Sequence, residues 1–157
     1  MHAAAPMHLY DTSRGEVTAF APGETVTMYV CGITPYDATH LGHAATYVTY
    51  DVLQRRLIDR GHRVRYVRNI TDVDDDIIRA ARQRDVHYLD LAFGETVRFD
   101  NDMAALNTLP PWSEPRATGA IGNIRGLIDT LLTQGDAYLV DGAVYFDTGA
   151  ANGFGSV

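Results

Sequence analysis

The sequence predicts an α/β fold built around a parallel β-sheet. Three consecutive segments indicate it: a β-branched and aromatic strand at 26–30, a helical pattern from Gly42 to about Arg60, and an alternating strand at 63–70. A strand, a long helix and a second strand in this order form a βαβ unit, which favours parallel pairing with a right-handed crossover. Because ligands of such sheets bind beyond the carboxyl ends of the strands, the turn-rich loop at 31–39 is the predicted place for a site.

The helix of this unit has the pattern of a surface helix. Arg55, Arg56 and Asp59 can reach solvent, and Gly61 is the predicted stop. The apolar residues that share the opposite face are Ala44, Tyr47, Val48, Leu53 and Leu57.

Further elements follow in chain order. They are an acidic loop at 71–76, helices at 77–84, 88–107 and about 118–134, and strands at 137–140 and 143–146. Gly135 ends the last helix, and Asp141-Gly142 between the last two strands is a strong hairpin signal. The tail at 149–157 is rich in glycine and alanine, so we expect it to fray.

The composition is that of a globular protein of one domain. The chain has 157 residues, of which 46% are hydrophobic and 21% charged. Its apolar runs are far shorter than the ~20 residues of a membrane span, and its first residues lack the basic segment of a signal peptide. The single cysteine, Cys31, excludes an intrachain disulfide and favours a reducing compartment. We therefore expect a cytoplasmic protein without membrane association.

The charge distribution is uneven. All 13 basic residues are arginines, and with 20 acidic residues the net charge is −7 and the pI about 5.2, which argues against generic nucleic-acid binding. Between Arg55 and Arg84, however, nine arginines face five aspartates, a local net charge of +4. Two interpretations stay open: this segment faces phosphates, or it is a solvated helix face with an edge strand.

Two histidines, His40 and His43, flank Gly42 at the predicted start of the first helix. A helix N-terminus offers free N–H groups and the positive end of the helix dipole, and imidazoles can donate to phosphoryl oxygens. The arrangement suits polyphosphate binding and stabilisation of charge in a transition state. From the spacing alone, surface or capping histidines are the alternative.

The run YVCGITPYDATHLGHAATY resembles the signature of class I aminoacyl-tRNA synthetases, in which HxGH opens the helix after the first strand. More narrowly, the chain is similar to the cysteinyl-tRNA synthetase group and its relatives, the mycothiol cysteine ligases, which join L-cysteine to glucosaminyl-inositol. The stretches that carry the resemblance in the family's order are LYDT at 9–12, YVRNITDVDD at 66–75, LPP at 109–111, EPRAT at 114–118 and VYFD at 144–147. The loop CGITPYDATHLGHAAT is closer to the ligases, whereas EPRAT and VYFD are at least as similar to the synthetases.

The resemblance implies a Rossmann-like class I synthetase nucleotide-binding fold. Residues 1–108 would form the first half of the catalytic domain, and residues 109–157 the start of the connective insertion, with a helix and a β-hairpin. The second half of the sheet and the lysine-bearing loop that holds the ATP phosphates would lie outside this chain. An unpaired half-sheet exposes edge groups, so we expect a homo-oligomer or a partner polypeptide that supplies the missing half.

The resemblance also implies ATP-dependent ligase activity. The L-cysteine carboxylate would attack the α-phosphorus of ATP, and the cysteinyl adenylate would pass cysteine to the glucosaminyl-inositol amine or to a tRNA. His40, Gly42 and His43 would bind ATP, with the two histidines as the catalytic residues. The alternatives are a fragment or free-standing relative that binds a nucleotide without full aminoacylation, and a non-catalytic module that depends on a partner.

The family's substrate contacts map onto several further residues. By resemblance, Cys31 is a zinc ligand for the substrate thiolate, but the other ligands lie downstream of this chain, so a small half-buried thiol is the alternative. The residues that would hold the cysteinyl adenylate are Cys31, Gly32, Thr34, Thr46, Asn69 and Thr71. Ordinary turn chemistry is the alternative for Asn69 and Thr71.

The acidic cluster at 72–76 has two interpretations. Asp72, Asp74, Asp75 and Asp76 supply oxygen ligands, but the cluster lacks the glycine and distal glutamate of a calcium loop. Aspartates immediately before a helix also cap its N-terminus and complement its dipole. We expect capping.

Overall fold

The computed structural model describes residues 6–156 of the chain. In order, the elements are β1 (Met7–Asp11), β2 (Glu16–Phe20), β3 (Thr25–Ile33), α1 (Leu41–Asp59), β4 (Arg63–Ile70), α2 (Asp75–Arg84), α3 (Tyr88–Ala105), α4 (Ala117–Gln134), β5 (Ala137–Val140) and β6 (Ala143–Phe146). Of the described residues, 21–119 form one compact unit, and 6–20 with 120–156 form a second. This division does not test the domain boundary that the resemblance predicts between residues 108 and 109, so that boundary stays a prediction.

The predicted βαβ unit is confirmed. Strands β3 and β4 pair in parallel, with Val26 opposite Val64 and Met28 opposite Tyr66, and α1 connects them. The segment at 112–116 continues the sheet beyond β4, since the Arg68 N–H donates to the Ser113 carbonyl at 3.2 Å. This ladder explains how the chain after α3 returns to the sheet.

The core of the first unit lies on one face of this sheet. Helices α1 and α3 contribute Tyr47 and Phe99, whose rings meet edge to face at 5.1 Å between centroids. The residues of the main cluster are Val30, Ile33, Tyr47, Tyr66, Ile70, Phe99 and Met103. A smaller cluster between α2 and α3 consists of Ile77, Ala81, Leu91 and Ala92. The even positions of β4 therefore face the core, as the alternation predicts.

One strand boundary requires a correction. The sequence predicts that the first strand of the unit ends at Val30, but β3 continues to Ile33, so Cys31 and Gly32 lie in the strand instead of the loop. The pairing shifts register between Val30 and Ile33, which marks a bulge. The turn-rich sequence of this segment does not predict the extension, because the bulge depends on pairing with residues of β4 that are about 40 positions away.

The helix signals are confirmed. Helix α1 ends at the predicted stop, where Gly61 has a φ of 89° and its N–H donates to the Ile58 carbonyl. Helix α2 begins two residues earlier than predicted, and its N-cap is Asp74, whose carboxylate accepts from the Asp76 N–H at 2.9 Å. The capping interpretation therefore holds for Asp74.

The second unit contains two hairpins and most of α4. The β5–β6 hairpin is confirmed, with Asp141 and Gly142 at φ values of 50° and 81°. The β1–β2 hairpin was not predicted, because its strands are short and a weak turn, closed by Gly15 at a φ of 67°, connects them. No helix within residues 6–156 is long and apolar enough to cross a membrane.

Candidate functional site

The N-terminus of α1 places the two histidines side by side. His40 is the N-cap residue, and its Nδ1 accepts from the Gly42 N–H at 3.1 Å. The Nδ1 of His43 accepts from the His40 N–H at 3.3 Å, and the two rings stack with 4.0 Å between their centroids. Each imidazole thus accepts from a backbone N–H at the start of the helix, His40 from Gly42 and His43 from His40, in the manner of a capping box.

This capping assigns a tautomer to both rings. A nitrogen that accepts from a backbone N–H carries no proton, so each neutral imidazole has its proton on Nε2. Burial lowers the pKa of His43 below its ordinary value of 6.5, and the neighbouring His40 lowers it further. The pair therefore offers two N–H donors at the N-terminus of α1, where the helix dipole also favours an anion.

The histidine cap depends on Gly42. A Cβ at this position would lie 2.8 Å from Cε1 and 2.9 Å from Nδ1 of the His40 ring. Glycine is the one residue that leaves this space to the imidazole. The resemblance assigns Gly42 to ATP, and the structure adds a second role in seating His40.

Replacing Gly42 with alanine is expected to displace the His40 ring while the helix persists. Loss of the cap costs about 1 kcal/mol, and alanine's higher helix propensity offsets a similar amount. The imidazole ¹⁵N spectrum of His40 should lose the pattern of an Nδ1 acceptor while the melting temperature changes little. The control is Gly94→Ala in α3, where a Cβ meets nothing within 4 Å. An unchanged His40 spectrum in Gly42→Ala would contradict the steric explanation.

His43 should make stability depend on pH in a defined direction. Its folded pKa is depressed, so its contribution to stability is complete above about 6.5 and is lost as the pH falls through the folded pKa. Glutamine can cap through its carbonyl but does not titrate. We expect His43→Gln to lose less free energy of unfolding than the wild-type chain between about pH 7 and about pH 5. Urea titrations at both pH values measure this difference, and equal losses would contradict it.

A second group of predicted residues meets at the carboxyl ends of β3 and β4. The Asn69 Oδ1 accepts from the Gly32 N–H at 2.9 Å and from the Tyr29 hydroxyl at 3.0 Å. The Asn69 Nδ2 donates to the Thr71 Oγ1 at 3.0 Å, and the Thr71 N–H donates to the Ile33 carbonyl at 2.9 Å. The structure thus brings Gly32, Asn69 and Thr71 together, with Tyr29 as a member that sequence reasoning missed.

The remaining predicted residues lie around these two groups. Cys31 is exposed, and its carbonyl accepts from the Tyr47 hydroxyl at 3.2 Å. Burial raises the pKa of Tyr47 to about 12, so this hydroxyl stays a donor. The Thr46 hydroxyl donates to the Gly42 carbonyl at 3.0 Å, and half-buried Thr34 follows β3 directly. Each predicted residue is therefore at the carboxyl edge of the sheet or on the first turns of α1.

The residues present do not make a zinc site by themselves. A catalytic zinc ion needs three protein ligands, and Cys31 supplies one thiolate. Across residues 6–156, no three histidine, cysteine, aspartate or glutamate side chains lie together as a metal site.

The basic segment is largely neutralised by carboxylates. Several of its arginines pair with nearby acids: Arg55 with Asp51, Arg56 with Asp59, Arg63 with Glu24, Arg79 with Asp76, and Arg84 with Asp37 and Glu95. These pairs favour the interpretation of a solvated surface over one of a phosphate-binding face.

Arg68 differs from the other arginines of this segment because it is buried. Its side chain is only 6% exposed, contacts Glu114 and Asp100, and lies over the Phe99 ring at 4.5 Å. The sequence carries a signal for this burial, since Arg68 shares the parity of Tyr66 and Ile70 in the alternating strand. Sequence reasoning missed it because arginines are rarely buried without a partner.

Two further side chains tie the site to its surroundings. The Thr39 hydroxyl donates to Asp102 on α3, immediately before the His40 cap. Buried Asp72 accepts from the Thr118 N–H at 2.9 Å and from its hydroxyl at 2.6 Å. Asp72 therefore caps the start of α4, not α2, and the cluster at 72–76 divides between two helices.

Comparisons with known proteins identify relatives of this chain. The profile of the family described as tRNA synthetases class I (C) catalytic domain matches residues 18–157. An L-cysteine:1D-myo-inositol 2-amino-2-deoxy-alpha-D-glucopyranoside ligase of Mycobacterium ulcerans is 50% identical over 152 residues, 95% of this chain and 37% of that protein. The ligase of the same name from Corynebacterium kroppenstedtii is 49% identical over 142 residues, 90% of this chain and 27% of that protein.

Solved structures show the fold. Mycobacterium tuberculosis methionyl-tRNA synthetase in complex with methionyl-adenylate superposes with a TM-score of 0.61 at 24% identity, covering 76% of this chain and 28% of that one. A LeuRS of Agrobacterium radiobacter K84 in a ternary complex with tRNA and LeuAMS gives 0.61 at 22% identity, covering 75% and 15%. The chain spans 27% to 38% of the length of the curated relatives it matches. With its Rossmann-like α/β fold, the chain belongs to the class I tRNA synthetase (C) catalytic-domain family, in which the curated relatives at about half identity are mycothiol cysteine ligases.

Proposed function

We propose that this chain is the part of an ATP-dependent cysteine ligase that holds the triphosphate and the aminoacyl group. The full reaction would form cysteinyl adenylate and transfer cysteine to the amine of glucosaminyl-inositol. The observation that carries the proposal is the His40–His43 pair at the N-terminus of α1, in which both Nδ1 atoms accept from backbone N–H groups and the Nε2–H groups are left to donate. The relatives' names supply the substrate class, since both proteins are L-cysteine ligases.

The chemical step assigns work to the two histidines. An oxygen of the cysteine carboxylate forms a bond to the α-phosphorus of ATP, and the bond to the bridging oxygen breaks, releasing pyrophosphate. Negative charge accumulates on the phosphoryl oxygens during this exchange. Donors that are already oriented stabilise such charge without reorganising at the moment of reaction. His40 and His43 are held in that state by their own backbone contacts.

The aminoacyl end would lie against the carboxyl ends of β3 and β4. Thr34 and Thr71 offer hydroxyls there, and Cys31 presents an exposed thiol on β3. Thr46, bonded to the Gly42 carbonyl, would face the adenylate from the first turns of α1. We assign Gly32 and Asn69 to the same pocket. The amine that accepts the cysteinyl group is not held by any of these residues.

Isothermal titration of the whole chain with a cysteinyl-sulfamoyl adenosine tests the proposal. This analogue replaces the reactive phosphate by a sulfamate. We expect binding that His40→Ala or His43→Ala weakens by about tenfold or more, as for loss of a hydrogen bond to a charged group. Seryl-sulfamoyl adenosine and ATP, with and without added zinc, report selectivity for the thiol.

His87→Ala is a matched control. His87 is also a helix N-cap whose Nδ1 accepts from a backbone N–H, that of Leu89 at 3.3 Å, but no second histidine lies beside it in the cap. Its loss should cost stability without changing affinity for the analogue. No binding by a folded wild-type chain, or equal losses for His87→Ala and His40→Ala, would overturn the proposal.

A further inference from the structure

The orientation of the Asn69 carboxamide is determined by its partners. Oxygen and nitrogen of an amide are easily exchanged in a structure, but a backbone N–H can only donate. The atom that faces the Gly32 N–H at 2.9 Å is therefore the Asn69 Oδ1, and the atom 3.0 Å from the Thr71 Oγ1 is Nδ2. Nδ2 has no lone pair to offer, so the Thr71 hydroxyl must accept in this contact.

The orientation of the Asn69 carboxamide determines the role of the Thr71 hydroxyl. Its oxygen accepts from Asn69, so its own proton points away from that bond. The described residues 6–156 show no acceptor for this proton, while the Thr71 backbone is fixed by its N–H to the Ile33 carbonyl. The hydroxyl proton is thus left to donate to a group outside the described residues.

We infer that Asn69 is a positioning residue that sets Thr71 as a hydrogen-bond donor to an oxygen of the ligand. The ligand group that accepts the Thr71 proton is then an oxygen, namely the acyl carbonyl or an α-phosphoryl oxygen of the adenylate. This inference rests on the proposed function for the identity of the ligand. It revises the predicted role of Asn69, whose Oδ1 already accepts from two protein groups.

Tyr29 supports this orientation from the open face of the sheet. Its ring is 64% exposed, yet its hydroxyl donates to the Asn69 Oδ1 at 3.0 Å. With Tyr29 on one side and the Gly32 N–H on the other, a flip of the carboxamide would place Nδ2 against a backbone donor. The flipped state is therefore unfavourable, and the direction of the bond to Thr71 is fixed.

Asn69→Asp separates positioning from structure. An aspartate retains an oxygen for the Gly32 N–H and the Tyr29 hydroxyl but has no donor for Thr71, so the Thr71 hydroxyl turns to donate to the carboxylate. We expect a melting temperature near that of the wild-type chain and affinity for cysteinyl-sulfamoyl adenosine reduced about tenfold or more, as for Thr71→Val. Thr71→Ser should bind as the wild-type chain does.

The double variant Asn69→Asp/Thr71→Val gives the decisive comparison. If Asn69 acts through Thr71, the aspartate costs no further affinity once the hydroxyl is absent. If the aspartate weakens binding by the same factor in both backgrounds, its charge acts directly on the ligand and the inference is wrong. Wild-type affinity in Asn69→Asp would also overturn it, while leaving the proposed function intact.

A second measurement needs no ligand. The side-chain amide signals of Asn69, assigned by their loss in Asn69→Asp, should show one proton that shifts upfield in Thr71→Val because its acceptor is gone. Unmoved amide protons would overturn the inference whatever the chain binds. If the wild-type chain does not bind the analogue but the Asn69 amide proton shifts in Thr71→Val, the proposed function is wrong and the inferred orientation of Thr71 is confirmed.

Discussion

Gly32→Ala is expected to destabilise the chain more than any other alanine substitution of a glycine in the first unit. A Cβ on Gly32 would lie 1.5 Å from the carbonyl oxygen and 2.6 Å from the carbonyl carbon of Asn69. Both atoms belong to the backbone of β4, so no side-chain rotation relieves the clash. The strands must separate where the Asn69 and Thr71 contacts are made.

We expect Gly32→Ala to lower the free energy of unfolding by about 4 kcal/mol or more, at the upper end of single substitutions. For a chain of this size that corresponds to a fall of about 10 °C in melting temperature. Thermal and urea unfolding followed by circular dichroism measure it. The fraction of Gly32→Ala that still folds should also lose affinity for cysteinyl-sulfamoyl adenosine, because Asn69 and Thr71 are displaced.

Gly94→Ala provides the matched control for Gly32→Ala. Gly94 lies within α3, and a Cβ there meets nothing within 4 Å. Because alanine is a better helix former, this variant should gain up to about 1 kcal/mol. A Gly32→Ala chain as stable as Gly94→Ala would contradict the close approach of β3 and β4.

Arg68→Met should have the second largest effect. The Arg68 guanidinium contacts Glu114, lies 3.2 Å from Asp100 and packs over the rings of Phe99 and Tyr47. Methionine retains much of the apolar stem but leaves the Glu114 carboxylate, 24% exposed, without its counter-charge. Removing one partner of a buried pair costs about 3 kcal/mol. The loss is measured by urea unfolding.

The Arg68→Met prediction has two controls. Arg63→Met removes a pair of similar composition, but Arg63 and Glu24 are 65% and 80% exposed, so the change should stay within about 0.5 kcal/mol. Arg68→Met/Glu114→Gln removes both charges and should recover part of the loss. An Arg68→Met chain that behaves like Arg63→Met would show that the guanidinium does not hold the 112–116 segment to β4.

The elements with strong local signals were predictable. The βαβ unit follows from apolar periodicity, the end of α1 from Gly61, and the β5–β6 hairpin from Asp141-Gly142. These features depend on residues within a few positions of one another, so the sequence contains their cause. The β1–β2 hairpin lacks such a turn signal and was missed.

The candidate site divides in the same way. His40, Gly42 and His43 are adjacent in sequence, and their capping contacts form within one helical turn. Asn69 and Gly32 are 37 positions apart, and the sequence cannot state which of their groups donates and which accepts. The roles of the individual residues in binding stay predictions.

The sequence by itself therefore determined the α/β class and the family and predicted the location of the site, because periodicity, capping residues and the HxGH run act over short distances along the chain. The tertiary structure decided which polar atoms are already used. It extended β3 through Cys31 and Gly32, buried Arg68 against Glu114, and set Asn69 between Gly32 and Thr71. Each of these outcomes requires segments that are distant in sequence to come within hydrogen-bond distance of one another. Only the packing of the folded sheet brings them that close.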